Sequence, residues 1–572
     1  MATVAESLVS TLQASGIQRV YGIAGDSLNG FTDALRNSDV AWINVRHEET
    51  AAFAAAAEAA LTGKLAVCAG SAGPGNLHLI NGLYDAQRSR VPVLAVAAHI
   101  PSDEIGSGYF QETHPQDLFR ECSVYVEHVS NTDQMPRVLR IAMRTALEKR
   151  GVAVLVLSGD IALAEVGDDR ADRITATASE VTPSESELTH AAELLNASKR
   201  VTILAGAGVA GAHEQVIRLA DALQAPIVHA LRGKEHIEHD NPFSVGMTGL
   251  LGFASGARAM DGCDTLLMLG TDFPYQQFYP DAITIQVDIR GEQLGKRTHV
   301  DHAIVGGIRE TIDVLLPRID VKTDRTHLDE MLDHYAKTRD RLDDLATPSR
   351  GNRPIHPQYV ARLVDEHAAD DAVVIPDVGS PVIWAARYLT MNGKRRLIGS
   401  FTHGSMASAL MHGIGAQAAH PSRQVIAMAG DGGLTMMLGE LLTLVQYNLP
   451  VKVVVFNNSS LNFIELEMKA AGFVTWGTDL KNPNFAAVAQ SMGIHAVRVE
   501  VSEQLPERLK EVLAHDGPAL IDVVTERQEL AIPPSITAAQ VKGFALYAFR
   551  TVMSGRGDEL IDLARTNARQ IL

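Results

Sequence analysis

Two apolar runs in the C-terminal third of the sequence end in residues that could bind a metal ion. A Gly-Asp-Gly segment centred on Asp431 follows the run 425–429, and an Asn-Asn pair ending at Asn458 follows the run 451–456. Parallel strands joined by a right-handed crossover end at the same sheet edge, so we expect these side chains to be neighbours. A carboxylate, an amide oxygen and a backbone carbonyl suit Mg²⁺ or Ca²⁺, and the glycines leave room for a diphosphate. Alone, either segment would fit a tight turn, but their order around a helix favours the site.

Two other segments could contribute to such a site. Glu48 and Glu49 stand between an apolar run and an alanine-rich helical pattern. On position alone, acids at a helix start are ordinarily surface residues that offset the helix dipole. Met406 lies in the segment 399–407, where a methionine is ordinarily a core residue.

The middle of the chain contains a glycine pattern that is weak evidence for a nucleotide. Gly206, Gly208 and Gly211 form G-x-G-x-x-G after the run 201–205. A dinucleotide fingerprint also needs an acid at the end of the next strand, and the run 226–230 is not followed by one. An NAD site is therefore disfavoured, and the glycine turn is either structural or approaches another dinucleotide.

The elements that must position these residues follow a strand-helix rhythm. Helical periodicity appears between the apolar runs, as in 133–149 and 434–447. Unbroken apolar runs are typical of parallel strands covered on both faces, so the sequence predicts doubly wound α/β layers. The runs are 65–69, 91–98, 152–158, 201–205, 265–270, 425–429 and 451–456.

Polar breaks divide this pattern into domains. One break spans 167–187, and another spans 320–357 and includes a strongly charged helical stretch. The predicted units are 1–182, 183–335, 336–530 and a tail, 531–572.

Composition excludes several classes of protein. The 572 residues are 46% hydrophobic, and the net charge of −18 argues against a nucleic-acid partner. No apolar run reaches the roughly 20 residues of a transmembrane helix, and the first ten residues do not resemble a signal peptide. Three widely spaced cysteines are typical of buried thiols in a reducing compartment, so we expect a cytoplasmic protein.

Longer stretches carry a resemblance to a known family. With the motifs above, the whole chain resembles the pyruvate oxidase–acetolactate synthase family, which uses thiamine diphosphate (ThDP) and FAD. The resemblance implies a pyrimidine-binding domain, an FAD-binding domain and a diphosphate-binding domain in the order predicted above. The stretches that carry it are 25–30, 46–55, 69–101, 105–122, 225–236, 392–401 and 542–550.

The resemblance assigns residues to ThDP and its metal. Asp431, Asn458 and the Ser460 carbonyl would hold Mg²⁺ or Ca²⁺. Glu48 would bind the aminopyrimidine ring nitrogen and favour the form that generates the ylid, with Glu49 a bystander. Met406 would wedge behind the cofactor. The other residues implied to bind ThDP are Gly404, Ser405, Gly432, Gly433, Ser459, Leu461, Asn462, Phe463 and Ile464.

The resemblance also implies substrate and flavin residues. Phe110 and Gln111 would face the active site from a loop, Phe463 would abut substrate and flavin, and Glu467 would steer protons or the pyruvate carboxylate. Asn462 departs from the glycine expected there, although asparagine tolerates left-handed backbone. The strand ends expected to bind FAD contain Thr248, Gly249, Leu250, Leu251, Thr271, Asp272, Phe273, Pro274, Tyr275 and Asp288, the last suited to a ribose hydroxyl.

The tail resembles a conditional membrane anchor. Apolar residues recur at helical spacing from Asp558 onward, with Arg565 and Arg569 on another part of the surface. An ordinary docked helix would show the same pattern. The resemblance favours a tail that covers the active site at rest and binds phospholipid, beside membrane quinone, once the flavin is reduced.

The implied activity is that of a pyruvate:quinone oxidoreductase. Pyruvate would lose CO₂ to give a hydroxyethyl intermediate on ThDP, FAD would take two electrons, and acetate would be released. The resemblance further implies a homotetramer on the inner face of the cell membrane. An acetolactate synthase-type carboligase, an oxygen- and phosphate-dependent pyruvate oxidase and a catalytically silent binding protein remain the alternatives.

Overall fold

We describe a computed structural model that covers residues 2–167, 170–177, 179–349, 353–530, 538–553 and 557–567. Within these residues, three parallel sheets of six strands each are flanked by helices, as the apolar runs predict. The predicted fold class of three doubly wound α/β domains is therefore confirmed.

The first sheet has the strand order β2-β1-β3-β4-β6-β5. Every position of β4 and β6 is buried, because helices cover both faces of these central strands. The strands are β1 (Arg19–Gly22), β2 (Ala41–Asn44), β3 (Ala66–Gly70), β4 (Val93–His99), β5 (Tyr125–Val129) and β6 (Val152–Ser158). The helices are α1 (Val4–Ala14), α2 (Asn29–Arg36), α3 (Glu48–Thr62), α4 (Pro74–Ser89), α5 (Pro115–Leu118), α6 (Met135–Lys149) and α7 (Gly159–Leu163).

The middle sheet has the order β12-β11-β10-β7-β8-β9, and the long charged helix α13 follows it. Its strands are β7 (Val201–Ala205), β8 (Ile227–His229), β9 (Ser244–Met247), β10 (Thr265–Leu269), β11 (Ile283–Asp288) and β12 (His302–Val305). The helices are α8 (Glu185–Ala197), α9 (His213–Leu223), α10 (Lys234–Ile237), α11 (Ala254–Asp261), α12 (Ile308–Leu315) and α13 (Thr326–Leu345).

The third sheet has the order β14-β13-β15-β16-β18-β17. Its strands are β13 (Val373–Pro376), β14 (Arg396–Leu397), β15 (Val425–Gly430), β16 (Lys452–Asn457), β17 (His495–Val499) and β18 (Ala519–Val524). The helices are α14 (Pro357–His367), α15 (Ser380–Tyr388), α16 (Ser408–Ala419), α17 (Asp431–Met436), α18 (Leu441–Gln446), α19 (Asn462–Ala471), α20 (Phe485–Ser491) and α21 (Leu505–Ala514). The tail contributes α22 (Ala538–Met553) and α23 (Gly557–Thr566).

One helix prediction needs correction. The stretch 434–447 is not a single helix, because a 3₁₀ turn at Leu438–Glu440 separates α17 from α18. Glu440 is buried there and accepts hydrogen bonds from backbone N–H groups of the first domain, while Leu442 and Val445 are exposed. The periodicity predicts a continuous apolar helix face here. The structure instead has a buried glutamate that forms hydrogen bonds between the first and third domains.

Three further findings concern the chain as a whole. Cys68, Cys122 and Cys263 are buried free thiols, as predicted. One core cluster includes residues of both the first and third domains, so these domains pack closely. Among the described residues, every helix is too short or too polar to span a bilayer.

Candidate cofactor site

Asp431 and Asn458 are neighbours, because β15 and β16 pair directly. Asp431 is the first residue of α17 and is only 3% exposed. Its Oδ2 atom accepts hydrogen bonds from the backbone N–H groups of Asn458 (3.0 Å) and Ser459 (2.6 Å). The topology therefore brings the two segments together at one sheet edge.

Two more donors complete the surroundings of Asp431. The Gly432 N–H donates to Oδ1 (2.8 Å), and the Asn482 side chain donates to Oδ2 (2.8 Å). Burial raises the pKa of Asp431, although these donors oppose the shift. A buried carboxylate in this setting suits a cation. Asn482 is not predictable from the sequence, because nothing in its loop marks it as a partner of a residue 51 positions earlier.

The two glycines after Asp431 lie where a side chain would collide. A Cβ atom at Gly432 would lie 2.8 Å from a Leu461 methyl carbon and 3.4 Å from Cε of Met406. A Cβ at Gly433 would overlap the carboxylate of Asp377. Met406 thus lies beside the Gly-Asp-Gly turn, where glycine lets the neighbouring side chains pack directly against the backbone.

A helix start that the sequence analysis missed adjoins this turn. Gly379, with φ of 125°, precedes α15, and a Cβ at Gly430 would lie 3.7 Å from the Pro381 ring. The N–H groups at the start of a helix attract phosphate. The signal was present in the sequence as a strand followed by Gly-Ser-Pro at a helix start. The carboxylate, glycines and helix start together fit a metal-bound diphosphate.

The loop after Asn458 differs from expectation in one respect. Ser459, with φ of 55°, takes the left-handed conformation, whereas Asn462 begins α19. Position 462 therefore does not require the left-handed backbone that a glycine or asparagine would tolerate. Its side chain instead donates to the Arg527 carbonyl (2.6 Å), which fastens the start of α19 to the strand-end segment after β18.

Glu48 begins α3 and is buried, at 6% exposure. Its Oε2 atom lies 2.9 Å from Nδ1 of His78, whose ring stacks on His47 with centroids 4.2 Å apart. A Cβ at Gly75 would lie 3.0 Å from Oε1, so glycine there leaves the carboxylate room. Sequence reasoning missed His78, which lies on α4 with no motif to mark it.

Glu49 has different partners. It accepts a hydrogen bond from the Asn81 side chain (2.7 Å), which also donates to Ser405 Oγ (3.0 Å). His403 Nε2 lies 2.8 Å from Asn81 Oδ1. Glu49 and Asn81 therefore link α3 and α4 to the loop that holds Gly404, Ser405 and Met406.

Phe110 and Gln111 lie on a loop that packs on the first domain. Phe110 is 76% exposed, and Gln111 adopts φ of 62°. A Cβ at Gly73, at the start of α4, would lie 2.9 Å from the Gln111 side chain. The loop is thus close to the helix start that carries Gly75 and adjoins Glu48.

The two groups of candidate residues have separate partners. The hydrogen-bond partner of the Glu48 side chain lies in the first domain, and those of the Asp431 side chain lie in the third. In the described part of the chain, no hydrogen bond or ion pair joins these two carboxylates to each other.

The middle sheet carries unsatisfied polar atoms at the edge predicted for FAD. Thr248 Oγ1 and Thr271 Oγ1 are buried, and neither has a hydrogen-bond partner among the described residues. Asp272 pairs with Arg90 (2.9 Å) and Arg297 (2.8 Å). Orphaned hydroxyls within a charged edge are the groups that a bound polar ligand would satisfy.

The remaining flavin candidates surround these hydroxyls. Phe273 and Asp288 are buried, and burial raises the pKa of Asp288. Gly249 has φ of 94°, in the strained region that favours glycine. A Cβ at Gly206 or Gly208 would collide with the adjoining 270–271 backbone, so this glycine turn serves close packing.

The flavin candidates approach the candidate substrate residues through Tyr275. Burial raises the pKa of Tyr275, and the negative charge of Glu467 raises it further, so the carboxylate lies within electrostatic range of the phenol. Phe463 is half-buried on the same helix, α19, and packs against the core of the third domain. The structure therefore brings the middle-domain edge close to α19.

Comparison with known proteins identifies the family of the chain. The chain matches the thiamine pyrophosphate enzyme N-terminal TPP binding domain over residues 2–118, the central domain over 188–315 and the C-terminal TPP binding domain over 377–523. Thiamine pyrophosphate (TPP) is another name for ThDP. The chain belongs to the thiamine pyrophosphate enzyme family.

Its relatives include both oxidases and synthases. It is 36% identical to the putative thiamine pyrophosphate-containing protein YdaP of Bacillus subtilis, over 99% of each chain. It is 31% identical to the pyruvate oxidase of Lactiplantibacillus plantarum, over 91% of this chain and 88% of that protein. It is 29% identical to the acetolactate synthase isozyme 2 large subunit of Escherichia coli, over 94% and 98% respectively.

Proposed function

We propose that this protein is a pyruvate dehydrogenase (quinone), which oxidises pyruvate to acetate and CO₂ and passes the electrons through FAD to a membrane quinone. The observation that carries the proposal is the buried glutamate at the start of α3. An acid at a helix start is ordinarily exposed, but Glu48 is enclosed and has a histidine partner. The similarity to a pyruvate oxidase supports pyruvate as the substrate.

Separate residues of the chain would bind the ThDP ring and the metal ion. When bound, ThDP supplies a carbon nucleophile for a 2-oxo acid, and FAD accepts electrons. Glu48 would hold a proton at the pyrimidine ring nitrogen. Asp431, the Asn458 side chain and the Ser460 carbonyl would hold Mg²⁺ or Ca²⁺. In the described residues no cluster of three or more His, Cys, Asp or Glu side chains could hold a metal, so the diphosphate would complete this ligand set.

Four side chains would surround the substrate. Gln111 would hydrogen-bond the bound substrate, and Phe110 would cover it from the same loop. Phe463 would exclude water from the reacting atoms, and Glu467 would orient the pyruvate carboxylate or move a proton. The proximity of Glu467 to Tyr275 supports this assignment, because Tyr275 belongs to the proposed flavin edge.

The middle domain would hold FAD. Thr248 and Thr271 offer unsatisfied hydroxyls, and Asp288 suits a ribose hydroxyl. The other proposed contacts are Gly249, Leu250, Leu251, Asp272, Phe273, Pro274 and Tyr275.

The tail would bind a phospholipid surface when the flavin is reduced. Phe549, Val552 and Met553 on α22 are exposed, and this helix packs on α19 through Gly543. Exposed apolar side chains on one helix suit insertion at a lipid surface. Of the residues 558–572 highlighted in the sequence, 568–572 lie outside the described residues. Asn567, which directly follows α23, is buried and accepts a hydrogen bond from the Leu530 N–H (2.9 Å). The protein would thus lie on the inner face of the cell membrane.

A homo-oligomer would complete the site. The separate partner sets of Glu48 and Asp431 support a ThDP site formed between two copies of the chain, for which a dimer is the minimum. We propose a tetramer on the resemblance to the family.

Anaerobic mixing with pyruvate tests the proposal. With ThDP and Mg²⁺ present, the FAD absorption near 450 nm, roughly its usual maximum, should bleach, and quinone reduction should rise when lipid vesicles are added. An unchanged spectrum would overturn the proposal. Acetoin-type products would favour the carboligase alternative, and peroxide with acetyl phosphate would favour the oxygen- and phosphate-dependent oxidase.

A further inference from the structure

Helix α19 contains a buried ion pair that the proposed reaction does not use. Glu465 and Lys469 are 1% and 0% exposed, and their charged atoms are 2.9 Å apart. Glu465 Oε2 also accepts hydrogen bonds from Ser460 Oγ (2.6 Å) and Arg527 Nε (3.0 Å). A single carboxylate therefore joins the candidate metal loop, α19 and the segment after β18.

The tail helix seals this pair from water. Lys469 Nζ donates to Gln528 Oε1 (2.7 Å) and lies 5.8 Å from the centroid of the Tyr547 ring on α22. Burial alone would raise the pKa of Glu465, but Lys469 and Ser460 more than offset it, so the pKa is lowered. The Lys469 ammonium and the Arg527 guanidinium both contact this carboxylate, and an ion-paired carboxylate is a strong acceptor for the Ser460 hydroxyl.

The backbone of Ser460 is also held in place, by contacts with a neighbouring loop. Ser460 forms an antiparallel bridge with Asp479, whose carboxylate pairs with Arg527 Nη2 (2.7 Å). Arg527 thus contacts both Glu465 and Asp479. Ser460 is held between them, and its peptide has little freedom to rotate.

We propose that Glu465 is a positioning residue for the metal loop. By accepting the Ser460 hydroxyl, it holds the peptide whose carbonyl is a proposed metal ligand. The inference rests on the proposed function, because the metal site is part of it. Groups that orient metal ligands typically change metal affinity by about 10- to 100-fold when they are removed.

Two variants test the role without leaving a buried charge unpaired. Ser460→Ala keeps the backbone carbonyl but loses the hydroxyl, and E465M/K469M replaces both charges with side chains of similar length. Titration of Mg²⁺ into the apoenzyme at saturating ThDP should show about 10-fold weaker binding for each. The three substitutions together should bind no more weakly than the worse of the two, because one contact is lost in all cases.

Further measurements separate positioning from general destabilisation. Ala471→Ser, an exposed change on the same helix, should leave Mg²⁺ affinity unchanged. Bound Mn²⁺ should show an altered EPR spectrum in Ser460→Ala, because its coordination changes. Wild-type affinity and an unchanged spectrum in Ser460→Ala and E465M/K469M, with binding lost in Asp431→Asn, would overturn the positioning role alone. If Asp431→Asn also binds Mg²⁺ normally, the metal site of the proposed function is wrong.

Discussion

Glu48 and Asp431 are both buried carboxylates at the first position of a helix, yet their surroundings differ. Asp431 accepts hydrogen bonds from four N–H donors. Glu48 has the ring of His78 as its side-chain partner and the open backbone of Gly75 beside it. Both helix starts favour negative charge. Only Asp431 has its oxygens fixed from several directions.

The different surroundings of Asp431 and Glu48 indicate different chemical roles. A carboxylate held by many donors cannot turn, so it suits a permanent ligand such as a metal ion. A carboxylate with one histidine partner keeps capacity for another hydrogen bond, so it suits the movement of a proton. Burial alone does not distinguish these roles, whereas the number and kind of partners does.

Of the substitutions that test this difference between Asp431 and Glu48, Asp431→Asn should cause the largest loss of Mg²⁺ binding and turnover. Loss of the carboxylate removes the charged metal ligand, so Mg²⁺ binding should disappear and pyruvate turnover should fall by roughly 10³-fold or more, or several kcal/mol. The measurements are Mg²⁺ titration at saturating ThDP and steady-state turnover. Glu507→Gln, an exposed change on α21, should retain metal binding. Turnover within tenfold of the wild type in Asp431→Asn would contradict the metal role.

Glu48→Gln should lower turnover while cofactors still bind. Gln cannot supply the charge that holds a proton at a ring nitrogen, so turnover should fall by about 10²- to 10⁴-fold. ThDP and Mg²⁺ affinities should change little, which distinguishes Glu48 from Asp431. Glu49→Gln is the matched control, because its neighbour Asn81 can still hydrogen-bond an amide. Equal losses in both variants would contradict a special role for Glu48.

Topology explains which features the sequence could predict. Unbroken apolar runs predicted the buried strands, and the strand-helix-strand order predicted that Asp431 and Asn458 would be neighbours. The position of Glu48 alone favoured a surface residue, and only the family resemblance indicated otherwise. Asn482 was not predictable, because its contact depends on how a long loop returns. The 3₁₀ turn before α18 was missed because Glu440 satisfies groups in another domain.

Asn482→Ala tests whether the number of donors matters at Asp431. It removes one of the four donors and leaves the carboxylate, so Mg²⁺ affinity should fall by about 10-fold, less than in Asp431→Asn. The same Mg²⁺ titration measures it. Lys481→Ala, at an adjacent exposed position, should match the wild type. Unchanged affinity in Asn482→Ala would show that the remaining three donors suffice.

Glu440→Gln should give the smallest effect, a change in thermal stability. Glu440 connects the third domain to the segment before Glu48. Glu440 accepts hydrogen bonds from the N–H groups of Arg46 (2.9 Å) and His47 (3.0 Å), directly before Glu48. Burial raises the pKa of Glu440 above its ordinary value of 4.5, although these donors oppose the shift. The folded protein therefore holds this proton more tightly, and its contribution to stability is lost as the pH rises from 4.5 through the raised pKa.

An amide at position 440 cannot lose that proton. The Tm of Glu440→Gln should therefore improve relative to wild type as the pH rises above 4.5, as measured by thermal unfolding of the apoenzyme. Glu511→Gln is the opposite control, because Arg508 lowers the pKa of Glu511. If the two variants change alike with pH, burial does not control Glu440. A relative gain confined to Glu440→Gln would show that Glu440, which bonds to the segment before Glu48, costs stability when its buried carboxyl ionises.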